Sequence, residues 1–191
     1  MQRYFADSKI TTEYQLTPEI YKHAIKVLRM KVGDAFELVD DAEVVHKMEI
    51  TKIEDGKAEA TSVEVIPSDV ELPSNVTIAC GISKNDKADW IVQKGTEMGA
   101  TKFIFFIGDY SVAKWDRKRS SKKVQRLQKI ARSAAEQSHR TKIPEVTFVE
   151  KLKDIDFEKS YYIYNPISGV KKAKYPLTLQ FYSRSSTLWE Q

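Results

Sequence analysis

The chain changes its hydrophobic pattern at Leu72-Pro73-Ser74, and this change constrains the fold more than any other feature. Before it, apolar residues come in short runs that alternate with polar ones; after it, they form near-continuous runs such as residues 103–107. Alternation is typical of strands with one buried face, whereas continuous apolar runs are typical of parallel strands that helices cover on both faces. The sequence therefore predicts two units, residues 1–73 and 74–164, followed by a tail of different character over residues 165–191.

The first unit is predicted to be a small β-barrel or sheet with one helix. The helix begins at Thr17-Pro18, because Thr caps a helix and Pro is favoured at its first position. The Asp55-Gly56 pair lies between two β-rich runs and is a hairpin signal. The strands of this unit are expected at residues 36–39, 44–53 and 58–66.

The second unit is predicted to be α/β with a mostly parallel sheet. Apolar strands that alternate with long helices form parallel sheets in which the helices are the crossovers. The stretch after Asn165 has no clear period, so we do not expect it to continue the sheet. The strands are expected at residues 76–82, 103–107, 146–149 and 161–164, with helices at about 87–98 and 117–139.

The net charge of +4 hides a strong asymmetry between the two units. Residues 1–73 carry 9 Lys and Arg against 15 Asp and Glu, whereas residues 74–191 carry 22 against 12. The second unit is therefore the one whose charge suits a polyanion such as a nucleic acid.

Composition disfavours several other classes of protein. The single cysteine, Cys80, lacks the Cys and His partners that a zinc site needs, so we expect no metal. No apolar run reaches the roughly 18 residues of a membrane-spanning helix, and the first residues lack the apolar core of a signal peptide. We therefore expect a cytoplasmic protein with no membrane partner.

The long helix predicted from residue 117 to 139 begins in the most basic part of the chain. Nine Lys and Arg residues and a single carboxylate, that of Asp116, lie between residues 114 and 132. At helical spacing four of the cations form one stripe, which can meet phosphates with an affinity that falls as salt rises. A solvated helix face is the alternative on charge alone. The four cations of the stripe are Arg119, Lys122, Arg126 and Lys129.

The first strand of the second unit leads into a polar loop and then a helix. Ligands meet open α/β sheets at such a loop, so Lys84 and Lys87 are candidates to hold a phosphate; a plain connecting loop is the alternative. Farther along this helix, Trp90, Gln93 and Lys94 share one face. Lys94 is also placed to form an intrahelical ion pair with Glu97.

The N-terminus combines a cation with two aromatic rings in Arg3, Tyr4 and Phe5. Such a group can stack on unpaired bases while it contacts phosphate, and packing of the two rings into the first unit is the alternative. His23 and Arg29 lie in the region of the first helix, where a lone His is more often structural than catalytic.

Several of these motifs, in this order, closely resemble the bacterial small-subunit ribosomal RNA uridine-N3 methyltransferases. The match covers roughly residues 1–164. It consists of Met1 to Phe5; His23 through Val27-Leu28-Arg29-Met30 to Gly33-Asp34; Lys84 to Lys87 through Trp90 and Gln93-Lys94 to Gly99; Ser111 to Trp115; and Lys129-Ile130-Ala131 through Glu136-Gln137-Ser138 and Arg140 to Val146.

The resemblance implies a PUA-like N-terminal barrel that helps to hold RNA. It also implies a C-terminal α/β domain of the SPOUT superfamily, with a trefoil knot that binds S-adenosylmethionine and with assembly into a homodimer. The reaction would be methylation of uridine N3 in 16S rRNA of the small ribosomal subunit. Because the barrel is the acidic unit, RNA binding would depend mainly on the second domain.

The resemblance also supplies candidate site residues. The catalytic candidates, in the helix motif, are Arg126, Glu136, Gln137 and Arg140. The RNA-binding candidates come from the resemblance together with the charge and aromatic patterns above, and they are Arg3, Tyr4, Phe5, His23, Arg29, Lys84, Lys87, Trp90, Gln93, Lys94, Arg119, Lys122 and Lys129.

After Asn165 the sequence departs from the family. The Gly-Pro-Glu-Gly-Gly turn and the Leu-Gly-Pro-Arg-Ile-Leu-Arg segment, which form the knot and the cofactor pocket in the family, are absent from it. The resemblance therefore assigns no cofactor-binding residue and leads us to expect an incomplete knot. The alternative function is that of a truncated, catalytically inactive RNA-binding remnant.

Overall fold

A computed structural model describes residues 1–82, 87–108, 115, 117–155, 162–165, 169–172 and 178–181, with backbone alone for residues 117–119 and after residue 155. The chain divides into two compact units. The first contains Met1–Glu71 together with Glu136–Lys142, and the second contains Leu72–Ala135 together with Ile143–Gln191. The short segment 136–142 thus returns to the first unit, which the sequence did not indicate.

The first unit is built on a five-stranded sheet. Its strands are β1 (Arg3–Phe5), β2 (Glu13–Gln15), β3 (Ala35–Val39), β4 (Val45–Glu54) and β5 (Lys57–Ile66), in the order β1-β3-β4-β5-β2. β1 runs parallel to β3, and the other neighbours are antiparallel. Asp55 and Gly56 join β4 to β5 with positive φ angles of 49° and 75°, as the hairpin signal predicted.

One short helix covers this sheet. The helix α1 (Pro18–Tyr21) begins where predicted, with the Thr17 hydroxyl accepting the Ile20 N–H at 3.3 Å, and continues as a wider π-helical turn over Lys22–Val27. It buries Ile20 and Ala24 against core residues that include Phe36, Met48 and Ile50. The helical segment stops before Gly33, because the chain turns at Arg29, whose φ is 58°.

The second unit contains a six-stranded sheet in the order β10-β9-β11-β6-β7-β8. Every neighbouring pair is parallel except β9 with β10, so the predicted α/β class is confirmed. The strands are β6 (Thr77–Gly81), β7 (Lys102–Phe106), β8 (Glu145–Val149), β9 (Tyr162–Asn165), β10 (Gly169–Lys172) and β11 (Thr178–Phe181), and the helices are α2 (Lys87–Glu97) and α3 (Arg117–Gln137).

Both helices of the second unit pack on the same face of its sheet. Val92 of α2 and Leu127 and Ala131 of α3 share one core with Phe103 and Phe105 of β7. Gly95 permits this close approach, since a Cβ there would lie 2.7 Å from the Phe103 ring. None of the described helices has both the length and the apolar character needed to cross a membrane.

The expectation that the chain after Asn165 leaves the sheet is wrong. Strands β10 and β11 both belong to the sheet, and β11 lies at its centre between β9 and β6. Its register pairs Thr178 with Thr77 and Phe181 with Cys80. A strand of four residues contains too few positions to show a period, and its pairing partner is about a hundred residues away, so sequence patterns did not reveal it. The residues between these strands lie outside the described ranges.

Candidate nucleic-acid interface

The helix α3 presents its cations to solvent and its small apolar residues to the sheet. Leu127, Ala131 and Ala135 are buried. The cations Lys122, Lys123, Arg126 and Lys129 are exposed. The division between a buried and a charged side follows from the helical repeat, as predicted. Arg119 belongs to α3, but its side chain lies outside the described part of the structure.

An ion pair connects this cationic side to α2. The guanidinium of Arg126 pairs with the carboxylate of Asp89, in the first turn of α2. Because each helix follows a parallel strand, α2 and α3 both begin at the carboxyl edge of the sheet, the edge where ligands bind in open α/β folds. The cations of α3 and the start of α2 therefore belong to one surface.

The exposed side of α2 adds an aromatic ring to that surface. Trp90 is 57% exposed, and Lys87 and Gln93 are exposed beside it in the helix. Lys94 forms the predicted pair with Glu97, with 2.7 Å between Nζ and Oε2. A large aromatic side chain in solvent next to cations suits stacking on an RNA base. Lys84 lies outside the described residues.

A buried aromatic stack supports the start of α3. The Trp115 ring lies 5.9 Å from Phe105 and 5.7 Å from Phe148, centroid to centroid. Above it, the Lys123 ammonium is 4.8 Å from the indole centroid, within the range of a cation–π interaction. The Trp115 ring therefore helps to fix the position of the Lys123 ammonium in α3.

The N-terminal arginine is held inside the first unit rather than offered to solvent. Arg3 Nε donates to Glu37 Oε2 at 2.8 Å, and its Nη1 donates to the His139 carbonyl at 2.5 Å. His139 Nδ1 in turn lies 3.1 Å from the same Glu37 oxygen. Arg3, Tyr4 and Phe5 are all buried, which differs from the expectation that they stack on RNA bases. Packing of this strand, the alternative reading of these residues, accounts for their placement.

A second, half-buried carboxylate fixes the segment that follows α3. Glu71 Oε1 accepts hydrogen bonds from Arg140 Nε at 3.2 Å and from the backbone N–H groups of Thr141 and Lys142 at 2.9 and 3.1 Å. Its other oxygen lies 2.5 Å from Arg140 Nη2. The Arg140 side chain is 4% exposed, so it holds residues 140–142 in place rather than facing bulk solvent.

Tyr4 and His23 form a polar pair on the same unit. The Tyr4 hydroxyl lies 2.9 Å from His23 Nδ1, and the rings meet edge to face at 5.7 Å. Burial, together with the negative charge of Glu136, raises the pKa of Tyr4 to about 12. Tyr4 is therefore a neutral hydrogen-bonding group at physiological pH, while His23 stays exposed.

The four catalytic candidates lie at different places along α3 and in the segment that follows it. Arg126 and Glu136 are ten positions apart in α3, which corresponds to about 15 Å along a helix axis. Gln137 is exposed at the end of α3, and Arg140 is buried against Glu71. They therefore divide into one cation on the surface of the second unit and a group in segment 136–142.

Three carboxylates that organise these positions were not predicted. Asp89 pairs with Arg126, Glu37 with Arg3, and Glu71 with Arg140. The partners are separated by 37, 34 and 69 positions in the chain. No local spacing rule reaches so far, since helix and strand patterns report only neighbours on one element.

The stability of the first unit should depend on the ionisation of Glu37 and Glu71. Burial acts to raise the pKa of each carboxyl, but the bonds from Arg3 and from Arg140 outweigh it, so both pKa values are lowered. The stabilisation is complete above the unfolded-state pKa of about 4.3 and is lost as pH falls through the lower folded-state pKa. We expect hydrogen exchange in β3 and β4 to accelerate as pH falls below about 4, after correction for intrinsic rates. Glu71→Gln should flatten this acid dependence, and an unchanged dependence in that variant would contradict the assignment.

Two family comparisons identify the class of protein. The RNA methyltransferase domain family matches residues 70–177, and the RNA methyltransferase PUA domain family matches residues 16–61. The chain is thus an RNA methyltransferase in class, with an α/β catalytic domain and an attached PUA domain.

Two individual relatives show which family of RNA methyltransferases the chain belongs to. The chain is 37% identical to ribosomal RNA small subunit methyltransferase E of Bacillus subtilis over 178 residues, which is 88% of this chain and 70% of that protein. It is 31% identical to the protein of the same name from Buchnera aphidicola, over 73% of this chain and 55% of that protein. The chain belongs to the ribosomal RNA small subunit methyltransferase E family, which confirms the resemblance found in the sequence.

A solved structure agrees with this assignment. The ribosomal RNA small subunit methyltransferase E from Neisseria gonorrhoeae, bound to S-adenosyl methionine, superposes with a TM-score of 0.79 at 26% identity. The superposition covers 94% of this chain and 79% of that one.

Proposed function

We propose that this chain transfers a methyl group from S-adenosylmethionine to N3 of a uridine in 16S rRNA of the small ribosomal subunit. The observation that carries the proposal is the exposed cationic side of α3, tied by Arg126 to α2 at the carboxyl edge of a parallel sheet. Membership of the family indicates that the reaction is RNA methylation, and the names of the relatives indicate that the substrate is rRNA of the small subunit.

The sheet also fits a cofactor of this kind. The crossovers through α2 and α3 connect β6 to β7 and β7 to β8, which lie on one side of β6. Strands β9, β10 and β11 lie on the other side of β6. The switch point therefore lies between β6 and β11, and open α/β sheets bind ligands outside the carboxyl ends of the strands there. Gly81 and Phe181 end these two strands, and residues 83–86 and those after residue 181 lie outside the described ranges. When bound, S-adenosylmethionine supplies an activated methyl group on sulfur.

The protein's own residues would bind and orient the RNA. N3 of uridine must lose its proton to become nucleophilic, so a nearby cation or donor stabilises the developing negative charge on the base. We propose that Arg126, Lys122 and Lys129 contact phosphates and that Glu136 and Gln137 face the target region. Arg140 is a positioning residue in this proposal, because its guanidinium is committed to Glu71.

The remaining partners follow from the same proposal. We propose that the chain acts on 16S rRNA in the cytoplasm, where small subunits are assembled, and that two copies associate into a homodimer. The alternative, an inactive RNA-binding remnant, predicts RNA binding without methyl transfer. Methyl transfer to isolated small subunits, with identification of the modified nucleoside, separates the two.

A further inference from the structure

We infer that Lys123 is a catalytic residue, whose ammonium contacts the target uracil and stabilises the negative charge that develops on the base as N3 loses its proton. This inference rests on the proposed function, since it assigns a residue to that reaction. The role differs from the one given to Lys122 and Lys129, which is to contact phosphates.

Lys123 points in a different direction from the other exposed cations of α3. Lys122, Arg126 and Lys129 lie within about 60° of one another around the helix axis, because successive residues are about 100° apart. Lys123 lies about 60° or more from each of them and is turned toward the buried side of the helix, on which Leu127 lies. Of these four cations, Lys123 is therefore the one nearest the sheet.

An aromatic ring holds the ammonium of Lys123 in place. Its Nζ lies 4.8 Å from the centroid of the Trp115 indole. The indole is itself 7% exposed and packs between the rings of Phe105 and Phe148, so it is a rigid support. A side chain that is already held loses less conformational freedom when it contacts a substrate.

Lys123 also keeps its full positive charge. Within the described part of the chain it forms no ion pair, whereas Arg126 is paired with the carboxylate of Asp89. The side chain of Lys123 is exposed, so its N–H donors can reach a bound molecule. Fixed position and unneutralised charge are the two properties that electrostatic catalysis needs.

The Trp115 ring lies at the edge of the sheet where ligands bind. Strand pairing aligns four residues in one row across β8, β7, β6 and β11, namely Phe148, Phe105, Cys80 and Phe181. This row is at or one residue before the carboxyl end of each strand, and Trp115 packs on its first two members. Since neighbouring strands are about 4.8 Å apart, the switch point between β6 and β11 is about 10 Å from the ring along the sheet. That distance is comparable to the span of a nucleobase and the methyl group it receives.

The chemistry of the reaction gives a cation at this place a catalytic role. The electron pair of N3 forms the bond to the methyl carbon, the bond from that carbon to sulfur breaks and leaves its electron pair on sulfur, and the N3 proton passes to solvent water. Loss of this proton spreads negative charge over N3 and the two uracil oxygens. An ammonium next to either oxygen stabilises this anion more than it stabilises the neutral base, so it raises the rate rather than the affinity.

The test compares Lys123→Gln with the unchanged chain in single-turnover methylation of small subunits and in binding to 16S rRNA without cofactor. At saturating enzyme and neutral pH the rate should fall about 30-fold. The deficit should shrink as pH rises, and the pH–rate profile should move up by about 1.5 units, because a 30-fold smaller anion population corresponds to that shift in the pKa of N3. A merely structural defect would lower the rate equally at every pH. Lys123→Arg keeps a cation over the ring and should retain the rate within about 5-fold.

RNA binding separates this role from a phosphate contact. Lys123→Gln should keep the affinity within about 2-fold and leave the salt slope unchanged, whereas Lys122→Gln should weaken binding and reduce the slope by about 1. Lys102→Gln is the matched control, because it removes one charge at the start of β7, at the opposite edge of the same sheet, where Lys102 forms a surface pair with Glu145. It should match the unchanged chain in rate and in binding.

Three results would overturn the inference. If Lys123→Gln has the rate and the pH profile of the unchanged chain, the inference fails and the proposed function stands. If it loses affinity and about one unit of salt slope at an unchanged saturating rate, Lys123 contacts a phosphate and the inference also fails. If the unchanged chain transfers no methyl group, the proposed function fails and the inference fails with it.

Discussion

Reversing two cations of α3, in the variant Lys122→Glu with Lys129→Glu, is expected to weaken binding to 16S rRNA about 100-fold at physiological salt. Both side chains are exposed on the side of α3 opposite Leu127 and Ala131, so the substitution should leave the fold intact. Each phosphate contact releases about 0.9 counterion, so the salt slope should fall by about 2. Binding measured by fluorescence anisotropy over a range of salt concentrations gives both quantities.

The control for this variant must change the net charge equally. The double variant Lys151→Glu with Lys153→Glu makes the same change in net charge on the turn after β8. Leu152 and Ile155 of this turn pack into a hydrophobic cluster separate from the one that contains α2 and α3. Arg126 is left unchanged, because a glutamate there would face the carboxylate of Asp89. Equal losses of affinity in the two double variants would mean that net charge alone drives binding, which would contradict a specific surface on α3.

Removing the Arg140 side chain is expected to produce the largest loss of stability. Arg140→Ala leaves the half-buried Glu71 carboxylate without its cation, and breaking a buried ion pair in this way costs about 3 to 5 kcal/mol. The loss should be confined to the first unit. Hydrogen exchange in β3 and β4 measures this loss directly, because both strands belong to the first unit.

A surface pair in the same segment provides the comparison. Lys142 pairs with Glu43 at 3.2 Å, and both side chains are partly exposed to solvent, so Lys142→Ala should cost no more than about 1 kcal/mol. Similar losses for Arg140→Ala and Lys142→Ala would contradict the role assigned to Glu71. Glu71→Gln retains a side-chain oxygen that can accept the N–H groups of Thr141 and Lys142. Its loss of stability should therefore lie between the losses of Arg140→Ala and Lys142→Ala.

Elements governed by neighbouring residues could be predicted from the sequence. The Asp55-Gly56 turn, the Thr17 cap and the strand β7 all follow from local conformational preference and hydrophobic period. The cationic side of α3 followed in the same way, since a helix places residues three and four apart on one side.

Features that depend on distant residues could not be predicted. Arg3 was expected to bind RNA and Arg140 to be a catalytic residue, yet both are buried, each with a carboxylate partner that lies 34 or 69 positions away. Strand β11 pairs with β6 from the far end of the chain. Long-range pairing of this kind leaves no periodic trace in a single sequence.

The central claim is tested most directly by methyl transfer to small subunits assembled on in vitro transcribed 16S rRNA, in which no uridine carries a methyl group. The chain is incubated with S-adenosylmethionine labelled in its methyl group, and the RNA is digested to nucleosides for mass spectrometry. We expect labelled 3-methyluridine in the 16S rRNA, and about 100-fold less of it at subsaturating enzyme with the Lys122→Glu and Lys129→Glu variant. Tight RNA binding without any labelled nucleoside would identify an inactive RNA-binding protein, and a label on another base or atom would contradict the N3 assignment.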